Sequence, residues 1–300
     1  MGCVDPSALL FSRQRVNPKG AGLVRPWKSV RDRLFGYRSS RQFALHTGNR
    51  VVLLHNSGFF SNCSALLMNV ARAKTHPLEI DVTQSFTYFT ESGEPFQWAD
   101  YFAPPPSTMR GAPQRWRRSR VAKLLPHHSI YKLLDYSVAG EIRDNYFQLS
   151  DKVRTRVREI EDSHLSVSLE DVLVVCLRGT DKGTEVRQSP IGAYVHRARR
   201  IMEKHKNLRV WVQTDQAQIR DTLLEQLGPR SFSLDILPVT EDAEVIHRSP
   251  AVSSKADFSR DLLAITWLMS RAHSVITYTG NVGYWIALFR GHARRLHQLR

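Results

Sequence analysis

The sequence predicts an α/β protein built on parallel sheets of Rossmann type, arranged in two halves. Short apolar runs alternate with segments of helical periodicity through the second half. Parallel strands need crossovers, and a helix is the usual crossover. A chain of 300 residues also fits two domains better than one core, since domains commonly hold about 100–150 residues. With 42% hydrophobic and 24% charged residues the composition is that of a globular protein, without the polar bias of a disordered one.

Residues 1–48 are basic, punctuated by Gly and Pro, and read as an irregular arm. Residues 51–54 (Val-Val-Leu-Leu) are a strand candidate, and Asn56-Ser57-Gly58 a turn. Residues 61–74 place Ala65, Leu66, Met68 and Val70 at helical spacing, and residues 78–82 alternate as a second strand. Together they form one βαβ unit. From 102 to 126 the pattern breaks: Pro104-Pro105-Pro106 are followed by Arg110, Arg115, Arg117, Arg118, Arg120 and Lys123 around Trp116, which reads as a loop or insertion. Trp98, Tyr101 and Phe102 read as core in preference to a sugar-stacking platform. Ser150 caps a helix with Val153, Val157 and Ile160 on one face.

In the second half, residues 171–177 are a strand. Ser189-Pro190 opens a helix with Ile191, Tyr194, Val195, Ala198, Ile201 and Met202 inward, Pro occupying the first helical position. Residues 208–213 are a strand, and Asp215 caps a helix carrying Ile219, Leu223, Leu224 and Leu227 that ends at Gly228-Pro229. Residues 232–239 form a third strand, 258–271 a buried helix and 274–279 a fourth strand; Gly280-Asn281 starts a last helix. The predicted organisation is an arm over 1–48 and Rossmann-like domains over 49–150 and 151–300.

The formal net charge of +15 sits mainly in residues 1–150, with 20 basic against 10 acidic residues, compared with 23 against 18 after them. Such a field attracts polyanions without choosing among them. Cys3, Cys63 and Cys176 are far apart and have no His at ligand spacing, so neither a disulfide framework nor a metal site is expected, and a reducing compartment is. No apolar run approaches the ~20 residues of a membrane span. Neither a signal peptide nor an anchor is read, and Pro6 breaks the lipidation pattern hinted at by Met1-Gly2-Cys3, so the expected location is cytoplasmic. The chain has no Ser nucleophile elbow, GxGxxG or Walker A motif, so dinucleotide oxidoreductases and P-loop kinases are disfavoured. His127-His128 lacks ligand geometry.

Open parallel sheets bind ligands beyond the carboxyl ends of their strands, and three such ends carry polar residues. Val174-Val175-Cys176-Leu177 runs into Arg178-Gly179-Thr180-Asp181-Lys182-Gly183-Thr184-Glu185. A second end delivers Thr214-Asp215. The last delivers Thr277 to Asn281 at a helix N-terminus, where N–H groups and the helix dipole favour an anion. Arg178 facing that terminus makes a diphosphate cradle. Plainer readings stand beside these. The Arg-Gly-Thr-Asp-Lys-Gly tract also suits a polar turn; Asp215 is read as a helix cap ahead of a donor contact; Asn281 also suits a cap and Gly280 a relief of backbone strain. Asp261, a carboxylate on an apolar helix, needs a partner and either pairs structurally or touches the donor.

The tract from Cys176 to Glu185 resembles the His-Val-Arg-Arg-Thr-Asp-Lys-x-Gly-Thr-Glu segment of the α1,6-fucosyltransferases, the core-fucosylating and nodulation enzymes of the GT-B class. Val212-Gln213-Thr214-Asp215 is similar to their strand ending in Thr-Asp. Residues 261–281 are similar to their late segment, in which a helix ending in Leu-Ser leads into a strand and a small polar turn. Asn56-Ser57-Gly58-Phe59-Phe60-Ser61-Asn62 and Trp98-Ala99-Asp100-Tyr101-Phe102 are similar to patterns of related sugar transferases. The likeness covers residues 50–295, and only its first tract is specific. Cys176 stands where the family has His, Gly179 replaces its second Arg, and one residue is missing before Gly183.

The resemblance implies a GT-B-like fold, two Rossmann-type domains facing a central cleft. It also implies an inverting, metal-independent transfer of fucose or a related sugar from GDP-fucose or another nucleotide sugar to a glycan or other hydroxylated acceptor, with no further cofactor. Arg178 would bind the β-phosphate and Glu185 would be the general base. Asp181, Lys182, Asp215, Asp261, Thr279, Gly280 and Asn281 complete the implied donor side, and Asn56, Gly58 and Phe59 the acceptor side. The lost second Arg bears on donor identity. A bidentate Arg and helix N–H groups would stabilise the departing diphosphate, and a carboxylate would take the acceptor proton.

The alternative is a basic nucleic-acid-binding α/β protein without catalytic activity. It rests on the arm, the Arg-rich segment around Trp116 and the tail His292-Ala293-Arg294-Arg295-Leu296-His297-Gln298-Leu299-Arg300. These clusters flank the Rossmann pattern without forming a known nucleic-acid reader.

Overall fold

The computed structural model describes residues 43–74, 76–91, 93–106, 116–124, 130–179, 189–241, 246 and 252–300. Asp181, Lys182, Glu185, His127-His128 and residues 1–42 of the arm lie outside the described residues. The architecture is α/β, with one three-stranded and one five-stranded sheet among the described residues.

The first sheet joins β1 (Ala44–Thr47), β2 (Arg50–Leu53) and β3 (Glu79–Asp81). β2 and β3 run parallel, connected through helix α1 (Phe59–Val70), which is the βαβ unit read from the sequence. β1 pairs antiparallel with β2 and lies inside the stretch read as irregular arm. With only Ala44 of its four residues buried, it has no apolar alternation to betray it. α1 starts two residues before the predicted helix and ends at Val70, with nearly all its residues buried.

Helix α2 (Tyr136–Tyr146) was not read from the sequence; Asp135 caps it by accepting from the Val138 N–H. Helix α3 (Asp151–His164) begins where expected: Ser150 Oγ accepts from the Val153 N–H, and Val153, Val157 and Ile160 are buried. Such a cap contributes about 1 kcal/mol.

The second sheet is parallel throughout. It comprises β4 (Val172–Cys176), β5 (Arg209–Gln213), β6 (Ser231–Phe232), β7 (Ser274–Tyr278) and β8 (Leu296–Leu299), in the order β6-β5-β4-β7-β8. Counted within this half the order is 3-2-1-4-5, that of doubly wound Rossmann sheets. Every residue of β4 and β7 is buried, as expected of strands covered on both faces. The connecting helices are α4 (Ile191–Lys204), α5 (Ala217–Leu227), α6 (Lys255–Arg271) and α7 (Asn281–Arg290). α6 packs against both α3 and α7, and α7 against α1.

Four local expectations are corrected. Pro190 is the N-cap of α4 and not its first helical residue. The strand expected over 232–239 pairs only at Ser231–Phe232; Pro238 cannot donate to a ladder, and the apolar side chains of 234–237 pack without one. Residues 296–299 of the basic tail form edge strand β8 beside β7. Asp215 does not cap α5: Gln216 holds the N-cap position without a side-chain bond.

Several side chains tie the halves together, and Trp285 is the largest of them at the α1–α7 contact. Trp285 of α7 is fully buried, and its Nε1–H donates toward Phe60 O (3.2 Å) and Ser64 Oγ (3.0 Å) of α1. Its ring packs on Phe60 and Phe147. Burying an aromatic of this size contributes roughly 1.5–3 kcal/mol or more. No described helix is long and apolar enough to cross a membrane.

Candidate active site

The register of the large sheet decides which residues meet. Cys176 aligns with Gln213 on one side and Thr277 on the other, so β4, β5 and β7 end level. From β4 the chain continues toward β5, and from β7 toward β8 on the opposite side; the crevice between β4 and β7 is the topological switch point. A cavity of about 370 Å³ opens there. Arg178, Thr214 and Asp215 and the first turn of α7 (Asn281, Val282) line it from the sheet side. The first turn of α1 faces them with Ser57, Gly58 and Ser61, and α6 closes a flank with Phe258, Leu262 and Met269. Both halves of the chain therefore contribute to one cleft.

Arg178 is positioned by its neighbour strand. Its Nε–H donates to Asp215 Oδ2 at 3.1 Å, while the Gly179 N–H donates to Asp215 Oδ1 at 2.8 Å. Asp215 thus clamps the end of β4 to the end of β5 instead of capping α5. This pair is largely shielded, with side-chain exposures of 22% and 13%. A Cβ at Gly179 would lie 2.1 Å from Gln216 Oε1 and 2.3 Å from Ile219 Cδ1. A second arginine at that position would require both side chains to turn aside.

The turn leading into α7 is braced from behind. Tyr131, fully buried, accepts from the Gly280 N–H (3.1 Å), and its hydroxyl lies 3.0 Å from both Tyr278 O and Gly280 O. Gln298 of β8 accepts from the Tyr131 N–H and donates to Thr279 Oγ1, each at 2.9 Å. Thr279 and Gly280 therefore hold the turn and do not line the cavity, whereas Asn281 does. Gly280 is extended (φ −176°), so strain relief is not its role; a Cβ there would meet the Tyr278 ring at 2.3 Å. Ser64 Oγ lies 3.2 Å from Asn281 Oδ1, joining the two helix starts.

Gly58 and Phe59 of the acceptor-side set line the cavity, Phe59 as a buried wall packed on Phe60, Phe86 and Phe89. Asn56 does not: its side chain is exchanged with Thr87, donating to Oγ1 and accepting from the N–H. Of the two readings of Asp261, the structure shows the pairing. Asp261 binds Arg156 of α3 through Nε at 2.6 Å and Nη2 at 3.3 Å, outside the cavity lining. The Asp261→Ala variant is expected to lose about 1 kcal/mol of stability, read as a lower Tm; an unchanged Tm would refute the structural role of the pair. Tyr101 and Phe102 are core, as read.

Burial and the Asp215 charge push the Cys176 thiol up to about 12, which keeps it protonated and unreactive. Burial pushes the Tyr278 phenol up and the His55 imidazole down. Among the described residues no three His, Cys, Asp or Glu side chains gather as metal ligands.

The features that suggested nucleic acid are only partly packed where described: Arg117, Arg294, Arg295 and Arg300 are exposed, while Arg120 pairs with Asp135. Trp116 is buried, with Nε1–H donating to Glu141 at 2.7 Å.

No protein-family model matches the chain, and no curated protein does. Solved structures do. A NodZ α-1,6-fucosyltransferase soaked with GDP-fucose is similar at 15% identity and a TM-score of 0.47, over 80% of this chain and 91% of that one. The fucosyltransferase NodZ from Bradyrhizobium is similar at 15% identity and 0.45, over 83% and 91%. POFUT1 in its apo form is similar at 13% identity and 0.35, over 59% and 52%.

Proposed function

We propose that the chain is a glycosyltransferase that takes a nucleotide sugar, GDP-fucose being the first candidate, and passes the sugar to a glycan or other hydroxylated acceptor. The observation that carries this reading is the cavity at the switch point, where the Arg178 guanidinium and the N-terminal turn of α7 line one side and the first turn of α1 the other. A guanidinium held in place and the positive end of a helix are what a departing diphosphate requires. Residues 151–300 would hold the donor and residues 49–150 the acceptor, with the sugar between them.

In the transfer, the acceptor oxygen attacks the anomeric carbon from the side opposite the diphosphate, which inverts that centre. Negative charge collects on the diphosphate, and Arg178 with the α7 terminus stabilises it without a metal. The acceptor proton needs a base within hydrogen-bond reach. Glu185, with Asp181 and Lys182 as supporting residues, is the sequence candidate for that part and lies outside the described residues.

Calorimetry of the whole chain against GDP, UDP and their sugars, followed by a hydrolysis assay with the best binder, tests the reading. Tight binding of GDP and turnover of GDP-fucose, both unchanged by EDTA, are expected. Binding of none of these compounds would end it.

A further inference from the structure

The sugar transfer proposed above releases one proton, and the described donor side has no group suited to receive it. Asp215 is committed to Arg178 and the Gly179 N–H, and the Cys176 thiol keeps its own proton. The opposite wall does have one. Ser61 stands in the first turn of α1, three residues after the N-cap Gly58, and lines the cavity. Its Oγ lies 2.9 Å from His55 Nε2. His55 follows the carboxyl end of β2, and its half-buried ring packs against Phe43 with centroids 4.5 Å apart.

We propose that Ser61 and His55 form a proton relay for the acceptor hydroxyl, Ser61 touching the acceptor and His55 acting through Ser61. The proposal rests on the transferase reading. Burial alone lowers the affinity of His55 for a second proton, so the ring is neutral near pH 7 and keeps a lone pair. With the proton on Nδ1, Nε2 accepts from the Ser61 hydroxyl, and the Ser61 oxygen still has a lone pair for a hydroxyl in the cavity. The start of α1 favours negative charge developing beside it.

The step balances. As the acceptor oxygen bonds to the anomeric carbon, its O–H bond breaks and that proton goes to Ser61 Oγ. The proton already on Ser61 passes to His55 Nε2. The bond from the anomeric carbon to the diphosphate oxygen breaks, and its electron pair leaves on the diphosphate beside Arg178. Glycoside, nucleoside diphosphate and an imidazolium remain, and the imidazolium returns its proton to solvent.

The test uses the full chain, GDP as the binding probe and hydrolysis of GDP-fucose, in which water takes the acceptor's place. His55→Gln and Ser61→Ala are each expected to lower kcat by about 100-fold or more, with GDP affinity kept. In the wild type kcat should fall at acid pH as His55 takes up its proton; His55→Gln should lose that limb. A purely structural role would leave the limb in place. Thermal unfolding checks that each variant folds, and if His55→Gln does not, Ser61→Ala decides. Wild-type turnover with a wild-type pH profile in the variants would overturn the relay alone. A wild-type chain that binds no GDP would overturn the transferase reading, and the relay with it.

Discussion

Replacing Arg178 with alanine is expected to lower the rate of sugar transfer by about 100- to 1,000-fold, the usual effect of removing one preorganised charge donor from a developing anion. The expectation follows from placement as much as from charge. Asp215 fixes the guanidinium by its Nε–H and, through its second oxygen, fixes the backbone on which that side chain is mounted. In the proposed transfer no reorganisation would then be needed when charge appears on the diphosphate. Arg178→Lys should recover little, because an ammonium has no planar fork to share between Asp215 and a phosphate. Asp215→Ala should imitate Arg178→Ala in kcat while the guanidinium remains. Single-turnover transfer and GDP calorimetry read all three, and an Arg178→Ala enzyme within a few-fold of wild type would remove Arg178 from the mechanism.

Gly283→Ala is expected to be strongly disruptive. Its Cβ would stand 2.6 Å from Tyr278 O, 2.7 Å from Thr277 Oγ1 and 2.9 Å from the Tyr131 hydroxyl. The first of these is backbone of a buried central strand, and Tyr131 is fully buried and bonded on the same turn, so neither turns aside. Overpacking of this kind costs about 1–3 kcal/mol or more. The first turn of α7 must move, so GDP affinity should fall together with Tm. Gly192 in α4 supplies the contrast: a Cβ there meets nothing within 4 Å. Gly192→Ala should stabilise by about 0.4–1 kcal/mol through the unfolded chain. Equal Tm changes for the two glycines would refute the steric account.

The parts of the fold legible in the sequence were those with local signals. β4 is a continuous apolar run, the α4 face repeats at helical spacing, and Ser150 announces α3. β1 and β8 were missed because an edge strand with mostly exposed or half-buried residues has neither alternation nor an apolar run. The stretch 232–239 misled in the opposite direction, since its apolar residues serve packing and not a ladder.

Of the residues that line the cavity, Arg178, Asp215 and Asn281 stand at strand ends and a helix start that the sequence shows, whereas Gly58 and Phe59 were named only through the family resemblance. The true role of Asp215 could not, because an aspartate before a helix looks like a cap until a residue 36 positions away claims its oxygen. Tyr131, Gln298 and the His55–Ser61 pair were missed for a related reason. Tyr131 and Gln298 are single polar side chains whose meaning is a contact between distant segments, and His55 and Ser61, six residues apart, form a pair that no motif announces.

The indole of Trp285 bears on how a substrate gets in. Swinging the halves apart would strip both acceptors from its Nε1–H and wet an aromatic surface that also seats Phe60 and Phe147. Unmaking such a joint at every round of the proposed transfer would be slow and wasteful, which favours a groove of fixed width. In the proposed transferase, discrimination among sugars would then fall to the shape of the walls a molecule first meets, and not to a jaw that closes behind it.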